Sequence, residues 1–201
     1  MENFKSQGEP TSYKPSEGEE FLMEFFRSEG IEFIFQKEIN DLVRDNRSFR
    51  RADFYLPKYN VYVEFLGMWN VGEDKKNEYR EKKAAYAQNN IPCLYFYPEN
   101  LGIIHYSFNK RLRAVLKEHN RKKELYKYNS KLFMEDKSES IVGFIICFAL
   151  LIMFQFDRKA GFYWQSCVVV GAFLIYLSYR IIKGYIKFFK EEYSYVTFVK
   201  E

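Results

Sequence analysis

The chain has 201 residues, with 31 Lys and Arg against 27 Asp and Glu, for a net charge of +4. Aromatic residues make up 20% of it and hydrophobic residues 47%, which excludes intrinsic disorder over most of the length, because that much apolar surface offsets the entropy of ordering. Three cysteines, Cys93, Cys147 and Cys167, and two histidines, His105 and His119, are too few and too widely spaced for a disulfide scaffold or a zinc site.

Residues 1–15 are polar, carry Gly8, Pro10 and Pro15, and lack the apolar centre of a signal peptide, so they are expected to form a flexible leader. Ser16 followed by Glu19 has the form of a capping box, opening a helix whose apolar side is Phe21, Leu22, Phe25 and Phe26 and whose end is Gly30. Ile31 to Lys37 reads as a strand, and a polar loop through Asp45 and Asn46 leads to a second strand from Phe49 to Leu56. Pro57-Lys58-Tyr59-Asn60 is turn chemistry. Val61 to Leu66 is the returning strand of a β-hairpin, Gly67 to Asp74 a loop, and Lys75 to Asn89 a helix stopped at Asn90. The apolar run Ile91 to Tyr97 suits a strand inside a covered sheet. This order predicts an α/β domain over residues 16–104, its sheet lying between helices.

Residues 105–139 read as a basic helical segment. From Lys110 to Glu139 ten Lys and Arg face five acids, which accounts for more than the whole net charge. After it come two long apolar runs, 141–156 and 162–179, the first borderline and the second sufficient in length to cross a bilayer. A buried hairpin of a soluble protein would keep a polar face that these runs lack. A two-helix transmembrane hairpin over residues 140–182 is therefore expected. The preceding domain and a cytoplasmic amphipathic tail, 183–201, would share one side, in keeping with the positive-inside bias, although Arg158 and Lys159 in the outer turn run against it.

Two carboxylates stand in otherwise apolar strands. Asp53 lies on Arg-Arg-Ala-Asp-Phe-Tyr-Leu and Glu64 on Val-Tyr-Val-Glu-Phe-Leu, and a turn near Lys58 and Tyr59 brings them close to opposite each other. Held that close they repel, and a divalent cation such as Mg²⁺ relieves the repulsion. The plainer reading is a structural ion pair of Glu64 with Arg50, Arg51 or a helix lysine. No Ser/His/Asp pattern or Gly-rich phosphate loop supports acyl transfer or nucleotide hydrolysis.

Asp53, ten intervening residues and Glu64 after an apolar run resemble the PD-(D/E)XK nuclease superfamily, and the likeness covers Ser16 to about Leu101. Ser16-Glu17-Gly18-Glu19 resembles the start of that fold's first helix. Arg51 to Pro57 and Tyr62 to Gly67 resemble its central hairpin, most closely in the branch related to very-short-patch-repair endonucleases. The resemblance implies a restriction-endonuclease-like sheet flanked by helices and metal-dependent hydrolysis of phosphodiester bonds. It implies Mg²⁺, with Mn²⁺ as a substitute, on Asp53, Glu64, the carbonyl of Phe65 and Glu19. The superfamily expects a lysine two residues after the glutamate, where this chain has Leu66. Members that take the lysine from the following helix point to Lys82, which shares a helix face with Tyr79 and Tyr86, whereas Lys83 turns roughly 100° away. Glu19 also has a plain reading as a cap and Cys93 as core; Gln36 could contact a water or phosphate near the site, although a glutamine at a strand end is ordinarily not catalytic, and His105 and His119 receive no role.

The resulting expectation is a membrane-anchored endonuclease acting on nucleic acid, DNA ahead of RNA. Arg50, Arg51 and the basic helix would meet the phosphate backbone. The rival expectations are a catalytically inactive nucleic-acid-binding module and a membrane adaptor whose carboxylates are structural.

Overall fold

The computed structural model describes residues 13–156 and 163–190, so most of the expected leader, the turn at 157–162 and the tail beyond 190 lie outside the described residues. The chain divides into two compact units, with the boundary between Glu124 and Leu125.

In the first unit α1 (Glu17–Ser28) opens on the capping box: the Ser16 hydroxyl accepts from the Glu19 N–H, and the Glu19 carboxylate accepts from the Ser16 N–H. Gly30 then takes φ +61°, and the N–H groups of Gly30 and Ile31 close back on Arg27 and Phe26. The same left-handed ending recurs at Asn90 and Asn120, where asparagine replaces glycine at the one position that favours a positive φ.

Four strands follow in the spatial order β1-β2-β3-β4: β1 (Ile34–Asn40), β2 (Phe49–Leu56), β3 (Val61–Phe65) and β4 (Cys93–Phe96). The first three are antiparallel, joined between β2 and β3 by the turn at Pro57–Asn60, and β4 runs parallel to β3. A parallel return needs a crossover, which α2 (Glu73–Gln88) supplies. The fold is thus α/β, with a mixed sheet. Phe26 of α1 packs edge-on to Phe54, and Phe108 of α3 (Ile104–Glu118) stacks on Phe96, while Tyr86 of α2 joins Ile39, Ala52 and Cys93 in a separate cluster. Leu112, Val115 and Leu116 of α3 are also buried, so this unit runs past residue 104, where the sequence reading ends the domain. The basic segment does not form one helix either: Asn120 stops α3, and α4 (Lys122–Phe156) is continuous through the expected junction at 140.

In the second unit α4 lies against α5 (Tyr163–Tyr185), which passes into a π-helical turn at Ile186–Lys190. Phe133 meets Phe188 edge-on, and Gly184 leaves room for the stem of Lys137. Beyond this contact Ile145, Phe148, Met153, Val168, Phe173 and Ile175 are exposed. Among the described residues one stretch, Cys167–Lys190, is long and apolar enough to cross a membrane, and little of its apolar part is buried. The run at 141–156 belongs to α4, where no such stretch is found among the described residues.

Candidate functional site

The β2–β3 register pairs Phe54 with Val63 and Tyr55 with Tyr62, so one further step sets Asp53 across from Glu64. Side chains alternate along β3. Phe65 turns its ring onto Gly18 in the first turn of α1, and Glu64 turns its carboxylate toward α2. A Cβ on Gly18 would stand 2.0 Å from the Phe65 ring. Gly18→Ala is expected to destabilise the first unit by about 1–3 kcal/mol, the usual cost of overpacking, and to shift the start of α1; thermal melting measures it.

Glu64 is only 1% exposed. Its Oε2 accepts from Lys82 Nζ at 2.6 Å and its Oε1 from the Tyr86 hydroxyl at 2.8 Å. Lys82 also donates to the Arg51 carbonyl at 2.8 Å, which ties the middle of α2 to β2. Burial nonetheless holds the Glu64 carboxyl above the usual carboxylate range, against the pull of Lys82 and Tyr86. Asp53 is pushed well above its ordinary value, first by burial and then by the charge of Glu64, with Lys82 and the Phe65 N–H opposing. Asp53 Oδ2 accepts from that N–H at 2.7 Å, its single hydrogen bond among the described residues. Some solvent still reaches it.

Glu19, 4% exposed, completes the carboxylate group from the α1 side; its charge adds to the upward push on both Asp53 and Glu64. Beyond its capping bonds it meets Gln36 Nε2 and the Tyr13 hydroxyl, each at 3.4 Å. Burial and the charges of Glu19 and Asp53 push the Tyr13 hydroxyl up to about 12, so it stays a donor. Gln36 holds a φ of +53° inside β1, in the gap of the β1–β2 ladder across from Asp53. A non-glycine residue there carries backbone strain.

Asp53, Glu64 and Lys82 are therefore brought together, with Glu19 within electrostatic range. Lys83 is not among them: its ammonium lies over the rings of Tyr95, Trp69 and Tyr97 at 4.9, 5.6 and 5.9 Å, and burial lowers its pKa. Arg50 does not pair with Glu64. It is buried in a two-pronged bond to Asp45, at 2.6 and 2.7 Å, which takes it away from any substrate. Cys93 is core, His105 faces Glu29 and the Phe25 ring, and His119 caps the end of α3. The bond from Tyr86 to Glu64 goes beyond the sequence reading, where Tyr86 served only to mark a helix face; its spacing of four from Lys82 is the signal that points to it. Gln36 lies near the site, where the sequence reading allows it a water or phosphate, but its contact with Glu19 goes beyond that reading, and nothing in the sequence near Tyr13 announces its own.

Among the described residues no three His, Cys, Asp or Glu side chains form a ready-made metal centre. What is present is a pair, Asp53 and Glu64, flanked by a more distant acid and a lysine. Comparison with protein-family models, with curated proteins and with solved structures found no match.

Proposed function

We propose that the first unit is a restriction-endonuclease-like nuclease of the PD-(D/E)XK kind, hydrolysing phosphodiester bonds of nucleic acid, DNA ahead of RNA. The observation that carries this reading is Lys82 Nζ at 2.6 Å from Glu64 Oε2, on the strand position across from Asp53. A lysine from the helix after β3 thereby takes the place that Leu66 leaves empty of charge. The chemistry of the donors fits a hard cation: among the described residues Asp53 keeps one oxygen without a hydrogen bond, and burial beside Glu64 makes its negative charge costly until a cation answers it. Asp53 and Glu64 would hold Mg²⁺ or Mn²⁺, with the Phe65 carbonyl and Glu19 as the further donors. Such an ion lowers the pKa of a bound water and neutralises charge on the phosphoryl oxygen. Lys82 orients the attacking water and screens the scissile phosphate. Tyr86 and Lys82 fix the two oxygens of Glu64, and Gln36 and Tyr13 steady Glu19.

The exposed apolar surface of α4 and α5 supports anchoring in a membrane, and the excess of Lys and Arg from 110 to 139 favours a cytoplasmic side for the nuclease unit. The test is cleavage of plasmid and single-stranded DNA by the full chain in detergent, with Mg²⁺, Mn²⁺ or EDTA. Metal-dependent cutting that falls at least about a hundredfold in Glu64→Ala supports the nuclease.

One observation favours a second reading. Both Glu64 oxygens are already bonded, as in a purely structural ion pair, and a nucleic-acid-binding module without catalysis would look the same. It predicts DNA binding with no cutting under any metal.

A further inference from the structure

Beside Lys82 a groove of about 680 Å³ opens between α2 and the loop that enters β2. Its walls carry Arg47, Ser48, Phe49 and Arg51 on one side and Tyr79 and Lys82 on the other. The loop is held rigid at two points. Asp45 is locked to buried Arg50, which keeps its carboxyl below the usual range, and Asn89 at the end of α2 both donates to and accepts from the backbone of Val43. The backbone of the groove is thus preformed, which leaves mainly the side chains of Arg47, Phe49 and Arg51 to be ordered by a ligand.

Its chemistry is aromatic and basic. Phe49 is 44% exposed, an expensive place for a ring, and the Arg51 guanidinium lies 5.8 Å from its centre. Among the described residues the Arg51 side chain is otherwise tied only to exposed Glu38, a pair worth little in water. Among the described residues the guanidinium of Arg47 makes no hydrogen bond or ion pair; its backbone N–H is the group that donates to Asp45. The acid on the rim, Glu78, bonds Lys75 at 2.9 Å and also feels the charge of Arg47, so it offsets part of the groove's positive charge without cancelling it. An exposed ring flanked by cations is what an unpaired strand needs, a face for one base and charges for the phosphates on either side. A duplex hides its base faces in the stack and would leave Phe49 without a partner. The volume also falls in the roughly 300–1,000 Å³ range of clefts that enclose small ligands.

We propose that this groove binds a single unpaired nucleic-acid strand, Phe49 stacking on a base and Arg47 and Arg51 meeting the adjoining phosphates. Binding stands by itself, and only the cutting step after it rests on the nuclease reading. The strand's next phosphodiester then reaches Lys82, which touches both the Arg51 carbonyl at the groove and Glu64 at the site. Substrates are accordingly single strands or the unpaired ends and flaps of a duplex.

The test uses the full chain in detergent with EDTA present, so that binding is read without cutting. Labelled single-stranded DNA, RNA of the same sequence and the matching DNA duplex are titrated at several salt concentrations. Single strands should bind more tightly than the duplex, Phe49→Ala should weaken them about tenfold and Phe49→Trp should restore them. Arg47→Ala should lower the slope of log K against log salt by about 0.7, one phosphate contact on a single strand. The two strand types decide between DNA and RNA. Arg47 is exposed and its guanidinium makes no bond among the described residues, so thermal melting of Arg47→Ala should not move, and Phe49→Trp keeps the covered part of the ring where Phe49→Ala loses it. A preference for duplex, or single-strand affinity indifferent to all three variants, overturns the proposal. Affinity that responds as expected, with no cutting when Mg²⁺ is added, overturns the nuclease reading and keeps this one. Cutting with unresponsive affinity does the reverse.

Discussion

Asp53→Asn is expected to make the protein more stable at neutral pH and to abolish metal-dependent cleavage. Asp53 accepts one hydrogen bond, from the Phe65 N–H, and an asparagine carbonyl keeps it. The substitution removes a charge that burial, Glu64 and Glu19 all disfavour. The sign comes from linkage. The folded-state pKa lies above the unfolded value of about 3.9, so the folded chain holds the proton more tightly, and stability falls as the pH rises from about 4 through the raised folded value. Above that value the penalty is complete and the asparagine variant escapes it. Melting at neutral pH should rise by about 2–4 °C, the effect of about 1 kcal/mol in a chain of this size, and the advantage should shrink to nothing near pH 4 and below. Mg²⁺ should raise the melting temperature of the wild type and leave the variant where it is. A variant that melts lower at neutral pH would mean that the Asp53 charge is itself held by the fold and does not wait for a cation.

Lys82→Met has the opposite effect on stability and the same effect on activity. It leaves the carboxylate of Glu64 buried with the Tyr86 hydroxyl alone. Stranding one member of a buried pair costs about 3–5 kcal/mol; the Lys82 side chain is 20% exposed, so the lower end applies. Adding Glu64→Gln should recover most of that loss, because the neutral amide still accepts from Tyr86 and needs no counter-charge. The two substitutions are strongly non-additive for stability, and denaturant unfolding of the four proteins measures the coupling. Activity separates the readings. Where the wild type cuts, a double variant that regained cleavage along with stability would mean that the pair serves only the fold, and the module without catalysis cuts in no variant. The nuclease reading expects a stable and inactive protein.

The hairpin that carries the site was legible because its signals are local. Alternation from Phe49 to Leu56 and the Pro57-Lys58-Tyr59-Asn60 turn fix both the strands and the register, so the facing of Asp53 and Glu64 comes from counting. The capping box at Ser16 and the side of α2 that Lys82 faces were legible for the same reason, as spacings within one element. The features that escaped depend on contacts between elements or on an unannounced backbone choice. Arg50 reads as a free cation until the loop folds Asp45 onto it. Gln36 carries its positive φ without the glycine or asparagine that would advertise it. The break at Asn120 hid inside a run of good helix formers, where one residue in the left-handed region outweighs the propensity of its neighbours. The extent of the first unit was missed because α3 looks basic, while its buried residues meet partners remote in sequence.

Lys82, Tyr86 and Asn89 sit four and three residues apart, on one side of α2. The first two hold Glu64 and the third clamps the loop at Val43. A single-residue insertion ahead of Lys82 would swing all three by about 100° together. The helix therefore works as one cam: the charge pair and the rim of the groove engage in step or disengage in step, and neither can be retuned by sliding α2 without disturbing the other.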